Sequence, residues 1–260
     1  MLSGYGKNEW LTILAIGVML TVTLGIVGWW IPLVIVVLAT IALLLFFRDP
    51  ERRSPSQRGV VVAPADGRVS SIHTVEHYEP FGESALCIRI FLSVLDVHVN
   101  RSPCHCMVES VTHKPGAHLN VLNPQSAEDN ESITIILNHP TKRIPVAAVR
   151  QVAGLLARTI VCAVKPGQTL QRGQRIGMIK FGSTTEVYLP ARLDPKPAVQ
   201  QGQYIYGGTT VVAYVKTSAD HDNVKETSEH TAADAVAVPA AAASADTSEP
   251  LSQAPKVDSQ

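Results

Sequence analysis

The chain has 260 residues, of which 46% are hydrophobic and 17% charged, so it is more apolar than an average soluble protein. Its formal net charge at pH 7 is zero. No cluster of Lys and Arg interleaved with aromatic residues occurs, which argues against a nucleic-acid partner. One run, Trp10–Phe47, contains no charged residue and no histidine. Because a bilayer crossing needs about 20 apolar residues, we do not expect a wholly soluble protein.

The apolar run divides at a turn-prone cluster, Gly28–Pro32. The division predicts two apolar helices over residues 10–27 and 31–47, each close to the length of one bilayer crossing. Residues 1–47 are therefore predicted to form an N-terminal transmembrane hairpin of two helices.

Basic residues flank the predicted hairpin on both sides. Lys7 precedes it, and a basic linker, residues 48–59, follows it with four arginines. Positive charge is favoured on the cytoplasmic side of a membrane. The sequence therefore predicts a cell-membrane location with the rest of the chain on the cytoplasmic side.

Residues 60–216 have a different pattern, with short segments rich in Val, Ile and Thr separated by Gly, Pro and Asn. This pattern predicts a mainly β domain, and its length is sufficient for one compact core. The stretch Val164–Gly177 contains two closely spaced Gly-centred turns, a rhythm found in lipoyl and biotinyl carriers. At fold level we therefore expect a compact β-sandwich, similar to a barrel-sandwich hybrid.

The last segment, residues 217–260, contains eight acidic and two basic residues and no aromatic residue. Such a composition cannot bury enough apolar area to offset the entropy lost on ordering. It predicts a disordered, acidic, Ala/Ser-rich tail.

The four cysteines lie in the middle of the chain without the spacing of a disulfide framework, which favours reduced thiols. Cys104 and Cys106 flank His105, but on a strand the histidine would point to the opposite face. No second pair of ligands follows at the spacing of a zinc finger. We therefore expect no metal site.

Three short motifs carry the residue types needed for catalysis: Asp66 in the turn Ala63–Gly67, His98 in Asp96–Pro103, and Ser183 after a glycine in Phe181–Thr184. Taken singly, an Asp-Gly turn and a lone histidine are more often structural. Together they supply the carboxylate, imidazole and hydroxyl of a hydrolase-like triad. However, Ser183 lacks the Gly-x-Ser-x-Gly context of a serine hydrolase.

The Gly182-Ser183 bond is better suited to a different reaction. If the Ser183 hydroxyl attacks the carbonyl of Gly182, an N→O acyl shift gives an ester, and elimination then cuts the chain. The new N-terminus would carry a pyruvoyl group. Because side chains cannot delocalise the carbanion left by decarboxylation of an amino acid, such a carbonyl would serve as an electron sink.

With these residues in place, the chain resembles phosphatidylserine decarboxylase proenzymes of the short, bacterial and archaeal kind. The matching stretches follow the family's order: Ala63–Gly67, Asp96–Pro103, Lys114–Gly116 with Leu119-Asn120, Asn130-Glu131, Gln151–Leu155 and Gly177–Pro190. The resemblance implies autocatalytic cleavage of a zymogen between Gly182 and Ser183 into two associated chains. It also implies conversion of phosphatidylserine to phosphatidylethanolamine and CO2 through a Schiff base between the substrate amine and Ser183 in its pyruvoyl form, without a metal or pyridoxal phosphate.

The same resemblance assigns the catalytic acid, histidine and cleaved serine to Asp66, His98 and Ser183. His98 is expected to exchange protons, since its ordinary pKa lies closest to working pH, and Asp66 to orient it. Two positions depart from the family pattern: Arg101 replaces the second histidine of many long-form relatives, and His118 occupies a place expected to be aromatic.

Two other functions remain open at this stage. A membrane-anchored, non-catalytic β-sandwich carrier or adaptor would explain the hairpin and the turns. A carrier would need a lysine at a hairpin tip, however, whereas Lys180 lies beside the Gly-Ser pair. The other alternative is a pyruvoyl enzyme for a soluble amino acid, which would have no need of a membrane hairpin.

Overall fold

The computed structural model describes residues 1–116, 129–154, 159–180 and 183–216. Several predicted features lie outside these ranges: His118, the Leu119-Asn120 pair, Leu155, Gly182 and the tail 217–260.

Two apolar helices form the N-terminal unit: α1 (Lys7–Val27) and α2 (Trp30–Phe46). The helix α1 ends at Gly28, whose φ of 76° is readily accessible only to glycine. The helices pack closely where Gly17 faces Thr40, since a Cβ at Gly17 would lie 2.5 Å from the threonine hydroxyl. The two predicted helices are confirmed, and α1 with its preceding turn is long and apolar enough to cross a membrane, whereas α2 is a shorter apolar helix.

The rest of the described chain is almost entirely β-structure, as predicted. Its strands are β1 (Val60–Val62), β2 (Gly67–Tyr78), β3 (Glu83–Leu92), β4 (Val99–Arg101), β5 (Cys106–Lys114), β6 (Ser132–Asn138), β7 (Pro145–Val152), β8 (Ile160–Cys162), β9 (Thr169–Leu170), β10 (Arg175–Ile179), β11 (Ser183–Pro190), β12 (Lys196–Pro197), β13 (Tyr204–Ile205) and β14 (Val211–Tyr214).

These strands form one large curled sheet and two small ones. The large sheet has the order β13-β2-β3-β11-β7-β6-β5-β9, and the small sheets have the orders β1-β14-β12 and β4-β10-β8. Neighbouring strands pair antiparallel throughout the described residues. The strand β11 therefore lies inside the large sheet, between β3 and β7.

All three sheets contribute to one apolar core. Val61 of β1, Ile90 of β3 and Ile176 of β10 belong to the same buried cluster. On β11, Val187 and Leu189 face this core. Because side chains alternate along a strand, Ser183 at the start of β11 points to the same interior side.

The base of the helical hairpin is packed against the β domain. Phe46 and Phe47 are buried and form a cluster with Met178 of β10, which Trp10 of α1 also joins. The opposite end of the hairpin is apolar and exposed, with Ile31 77% accessible. The hairpin therefore has one end fixed by protein contacts and an apolar surface without a protein partner among the described residues.

Candidate active site

Strand register brings the Asp66 turn and Ser183 to one end of the large sheet. Arg68, two residues after Asp66, pairs with Phe91 near the end of β3. Ser183, the first residue of β11, pairs with Leu92 on the other side of β3. Asp66 and Ser183 thus flank the last two residues of the same strand.

His98 enters this end of the sheet from the segment before β4. Its carbonyl accepts a hydrogen bond from the Ile179 amide at 3.1 Å, four residues before Ser183. Three residues later, the Arg101 amide donates to the Pro64 carbonyl at 2.8 Å, beside the Asp66 turn. The structure therefore brings all three predicted motifs into one region.

The turn at Asp66 depends on the glycine that follows it. Gly67 has a φ of 144°, and a Cβ there would lie 2.1 Å from the carbonyl oxygen of Phe91. Only glycine allows this close approach of β2 to the end of β3. The predicted Asp-Gly turn is confirmed, and it fixes Asp66 against the sheet.

Ser183 is completely buried, and its Oγ makes no hydrogen bond within the described residues. A buried hydroxyl without a partner costs about 1–3 kcal/mol, so such an atom is rare unless it has a chemical role. The preceding residues, Phe181 and Gly182, lie outside the described residues.

His98 is also completely buried. Its Nδ1 lies 2.9 Å from the carbonyl oxygen of Asp96 and must donate, because a carbonyl only accepts. In the neutral ring, Nε2 therefore carries the basic lone pair. Burial lowers the pKa of His98 to about 4, so the imidazole is neutral and able to accept a proton at pH 7.

The last residue of α2 covers the histidine. The ring of Phe46 lies 4.3 Å from the imidazole of His98, centroid to centroid, in a tilted arrangement. This contact removes water from the imidazole and thereby contributes to its lowered pKa.

Asp66 is held by a buried ion pair. Its carboxylate accepts both terminal nitrogens of Arg52 and, at 2.8 Å, the amide of Gly207. Burial alone would lower the pKa of Arg52, but the hydrogen bonds and charge of Asp66 outweigh it and raise that pKa.

The structure does not show Asp66 orienting the ring of His98, as the sequence led us to expect. The atom that fixes the ring of His98 at Nδ1 is the backbone oxygen of Asp96, not the carboxylate of Asp66. Arg52 already uses both carboxylate oxygens of Asp66, so the carboxylate acts on the histidine through its charge and not through a hydrogen bond at Nδ1.

Three hydrogen bonds hold the loop before His98 in place. The Asp96 carboxylate accepts the Ser93 amide and the Tyr204 hydroxyl, each at 2.7 Å. The neighbouring Leu95 carbonyl accepts a hydrogen bond from Arg48, the residue two positions after α2. These contacts fix the carbonyl that positions His98.

In comparisons with known proteins, the chain is similar to phosphatidylserine decarboxylases. The family model for phosphatidylserine decarboxylase matches residues 40–213. The chain is 40% identical to the phosphatidylserine decarboxylase proenzyme of Nitratidesulfovibrio vulgaris, over 74% of this chain and 87% of the relative. It is 39% identical to the proenzyme of Carboxydothermus hydrogenoformans, over 82% and 96%. The proenzyme of Pelobacter propionicus is 45% identical, over 67% and 77%.

The chain belongs to the phosphatidylserine decarboxylase family. The predicted family resemblance is thereby confirmed, and the chain is an enzyme of this decarboxylase family. The assignment covers the β domain and the end of α2, since the match begins at residue 40.

Several polar residues near the site of this family member were not singled out from the sequence. Asn100 donates to Thr185 at 3.3 Å and accepts from the Gln151 side-chain amide. All three are buried, and the Gln151 Oε1 makes no hydrogen bond within the described residues. Thr185 lies two residues after Ser183 on the same face of β11, so this network supports the strand that carries the serine. Gln151 belonged to a matching stretch, but its residue type alone gave no reason to select it.

The segment just before the Gly182-Ser183 pair is joined by an ion pair to the helical hairpin. Lys180 forms an ion pair with Glu9 in the first turn of α1. The Lys180 side chain is 11% accessible and that of Glu9 is 44% accessible. The hairpin of this decarboxylase-family chain thus contacts both the segment before Ser183 and the imidazole of His98.

Arg101, noted above as a departure from the expected family pattern, lies at the start of the linker contacts. Its guanidinium is buried and donates to Asp49, the Pro50 carbonyl and the Gly173 carbonyl. The residue therefore anchors the linker that follows α2.

The described residues contain no group of three or more His, Cys, Asp and Glu side chains that could hold a metal ion. The four cysteines are free thiols. Of these, Cys106 lies 3.3 Å from the Ser102 hydroxyl, and His105 points to the Leu170 carbonyl.

Proposed function

We propose that the chain is a self-processing, pyruvoyl-dependent decarboxylase that converts phosphatidylserine to phosphatidylethanolamine and CO2. The observation that carries the proposal is the buried, unpartnered hydroxyl of Ser183. It begins a central strand in the same region as a neutral imidazole and a buried carboxylate. The relatives named above are proenzymes of this activity.

The processing step uses only groups of this chain and one water molecule. The Ser183 oxygen attacks the Gly182 carbonyl carbon, the peptide C–N bond breaks, and the freed nitrogen takes up a proton. In the resulting ester, loss of the Ser183 Cα proton expels the Gly182 carboxylate and cuts the chain. The enamine left at residue 183 tautomerises to an imine, and water hydrolyses it to a ketone and ammonia.

In this proposal His98 is the base that accepts the proton of the Ser183 hydroxyl. Its Nδ1 proton is held by the Asp96 carbonyl, so the basic nitrogen is Nε2. With a pKa of about 4 the ring is neutral at pH 7. The base is thus available without first losing a proton.

Asp66 has an electrostatic role in the proposal. Burial lowers the pKa of His98, and the negative charge of Asp66 acts against burial and raises that pKa. The charge of Asp66 therefore favours protonation of the imidazole. Arg52 and the Gly207 amide hold the carboxylate in place. The carboxylate therefore favours an imidazolium formed during processing.

The buried position of Ser183 is suited to a pyruvoyl group. Ser183 is completely buried at the start of a strand that lies between β3 and β7, so a carbonyl formed there would be held in place and shielded from water. The group would supply a carbonyl that condenses with the substrate amine and serves as the electron sink when the serine head group loses CO2. His98 is the group of this chain that would hold or move a proton there.

We propose a cell-membrane location with the β domain on the cytoplasmic side. Residues 1–47 form the membrane hairpin, 48–59 the basic linker, 60–216 the catalytic domain and 217–260 the tail. The apolar, exposed surface of α1 and α2 supports membrane insertion. At the end of the hairpin, Phe46 and Phe47 pack against Met178 of the catalytic domain.

The intact mass of the purified protein tests the proposal. We expect two chains, residues 1–182 and 183–260, the second with a blocked N-terminus. Ser183→Ala should give one uncut, inactive chain. Ser183→Cys keeps a nucleophile and should be cut slowly.

A matched control is Ser70→Ala, which removes an exposed hydroxyl from β2 and should leave cutting unchanged. A single intact chain in a preparation that decarboxylates phosphatidylserine would contradict self-processing. Normal cutting of Ser183→Ala would show that another protease is responsible.

A further inference from the structure

A cationic cavity of about 600 Å³ lies at the base of the helical hairpin. Its lining includes four arginines together with Tyr5 and Gln174; the arginines are Arg52, Arg101, Arg172 and Arg175. Neither Ser183 nor His98 lines it. The cavity is therefore separate from the reacting groups proposed above.

The arginines of the cavity outnumber their carboxylate partners among the described residues. Asp49 pairs with Arg101 and Arg175, at 2.9 and 2.6 Å, and Asp66 pairs with Arg52. Arg172 has two backbone carbonyls as partners and no carboxylate. Four guanidinium groups thus share two carboxylates, which leaves an excess of two positive charges.

Two of these guanidinium groups also have unused donors. The Nε atoms of Arg101 and Arg172 are buried and make no hydrogen bond within the described residues. Arg101 as a whole is only 4% accessible. A buried cationic donor without an acceptor is costly, so an acceptor with negative charge would stabilise this cavity.

The place of the cavity in the fold indicates which acceptor suits it. Tyr5 lies in the 3-10 turn directly before α1, and Asp49 follows the end of α2. The lining therefore lies where both apolar helices leave the membrane in the proposed arrangement, at the level of lipid headgroups. Phosphate oxygens match the forked donors of arginine.

We propose that this cavity binds a phosphate group, supplied by a phospholipid headgroup or by free inorganic phosphate. Its tetrahedral oxygens accept from the unused donors of Arg101 and Arg172, and its charge balances the excess positive charge of the arginines. The site is additional to the proposed reaction, because phosphate binds there without taking part in a chemical step.

Gln174→Glu is the sharpest test variant. The Gln174 Oε1 accepts the Gln171 amide at 2.9 Å, and a glutamate would keep that hydrogen bond while placing a negative charge in the cavity. Gln168→Glu is the matched control. Gln168 accepts the Lys165 amide in a turn of the same kind, at 3.3 Å, but does not line the cavity.

The full chain in dodecyl maltoside is titrated with inorganic phosphate, with sodium chloride at equal ionic strength as reference, and the thermal midpoint is followed. In a second arm, native mass spectrometry counts phosphatidylglycerol retained from mixed micelles. Phosphatidylglycerol has a phosphodiester but no amine. Cutting at Ser183 is read from the same spectra, so a failure of the proposed function is seen separately from a failure of this site.

We expect phosphate to stabilise the parent and Gln168→Glu equally, and Gln174→Glu to bind at least about tenfold more weakly. Selective loss of phosphatidylglycerol from Gln174→Glu would identify the headgroup as the source of the phosphate. Stabilisation by inorganic phosphate without lipid retention would identify free phosphate. No effect of either probe on the parent, or equal binding by Gln174→Glu and the parent, would overturn the proposal.

Discussion

The buried histidine makes the stability of this protein depend on pH in a way that can be measured. We consider the uncut precursor, Ser183→Ala, and the same chain with His98→Gln added. Glutamine can still donate to the Asp96 carbonyl but cannot titrate. The comparison of the two proteins therefore isolates the protonation of His98.

The size of the effect follows from the two pKa values of the histidine. Burial lowers the folded pKa from 6.5 to about 4, so between these values the unfolded chain binds a proton that the folded protein does not. Stability is then complete above pH 6.5 and falls as the pH is lowered toward 4. At 1.36 kcal/mol for each pKa unit, the loss is roughly 3 kcal/mol.

The assay is thermal unfolding of both proteins in detergent between pH 7.5 and pH 4.5. For a domain of this size a loss of 3 kcal/mol lowers the midpoint by about 6–12 °C. The parent should lose this much more than the His98→Gln chain over the same pH range. Carboxylates titrate in both proteins, so their contribution cancels in the difference.

Equal pH dependence of the two proteins would refute the reasoning. It would mean that water reaches the imidazole in spite of Phe46, and that the folded pKa is close to its ordinary value. In the cut-competent chain the same reasoning predicts that the self-cutting rate falls only near pH 4, not near pH 6.5.

Three other substitutions test the contacts around the site. Asp66→Asn leaves the guanidinium of Arg52 buried without its counter-charge and should cost about 3 kcal/mol of unfolding free energy; a thermal midpoint equal to the parent's would contradict the buried ion pair. Phe46→Ala opens a cavity and should cost about 3–5 kcal/mol, and it should raise the pKa of the covered imidazole, as NMR titration can measure; an unchanged pKa would count against the shielding by this ring. Glu9→Gln breaks the partly exposed ion pair before the cut site, so stability should change by less than about 1 kcal/mol while self-cutting slows. Glu51→Gln removes the same negative charge from an exposed position and serves as its control. Equal cutting rates for the two variants would show that the ion pair between Glu9 and Lys180 does not affect cutting.

Much of the fold follows from local patterns in the sequence. The apolar run with Gly28 at its centre predicts two helices, and both are present. The short segments rich in Val, Ile and Thr, separated by Gly, Pro and Asn, predict a mainly β domain, and the structure is mainly β. The motifs containing Asp66, His98 and Ser183 also come together, as expected if they act at one site.

The contacts among those residues could not be predicted from residue types. The Asp96 group that orients His98 is a backbone carbonyl, which every residue possesses. Arg52 has the same charge as the other arginines of the basic linker, and only the folded chain shows that it pairs with Asp66. Phe46 carries the same apolar signal whether its neighbour is a lipid or an imidazole, so its packing on His98 has no signature in the sequence.

The interior position of β11 has a consequence for the order of events in making the enzyme. The strand that begins at Ser183 pairs along its length with β3, and over five residue pairs with β7. The smaller chain of the proposed cut would also carry β14, which pairs with β1 of the larger chain. The large sheet and the β1-β14-β12 sheet are therefore each divided between the two product chains. Folding must precede cutting, and fragments 1–182 and 183–260 synthesised separately should not assemble into an active enzyme, because the peptide bond from which the prosthetic group is made would never have existed.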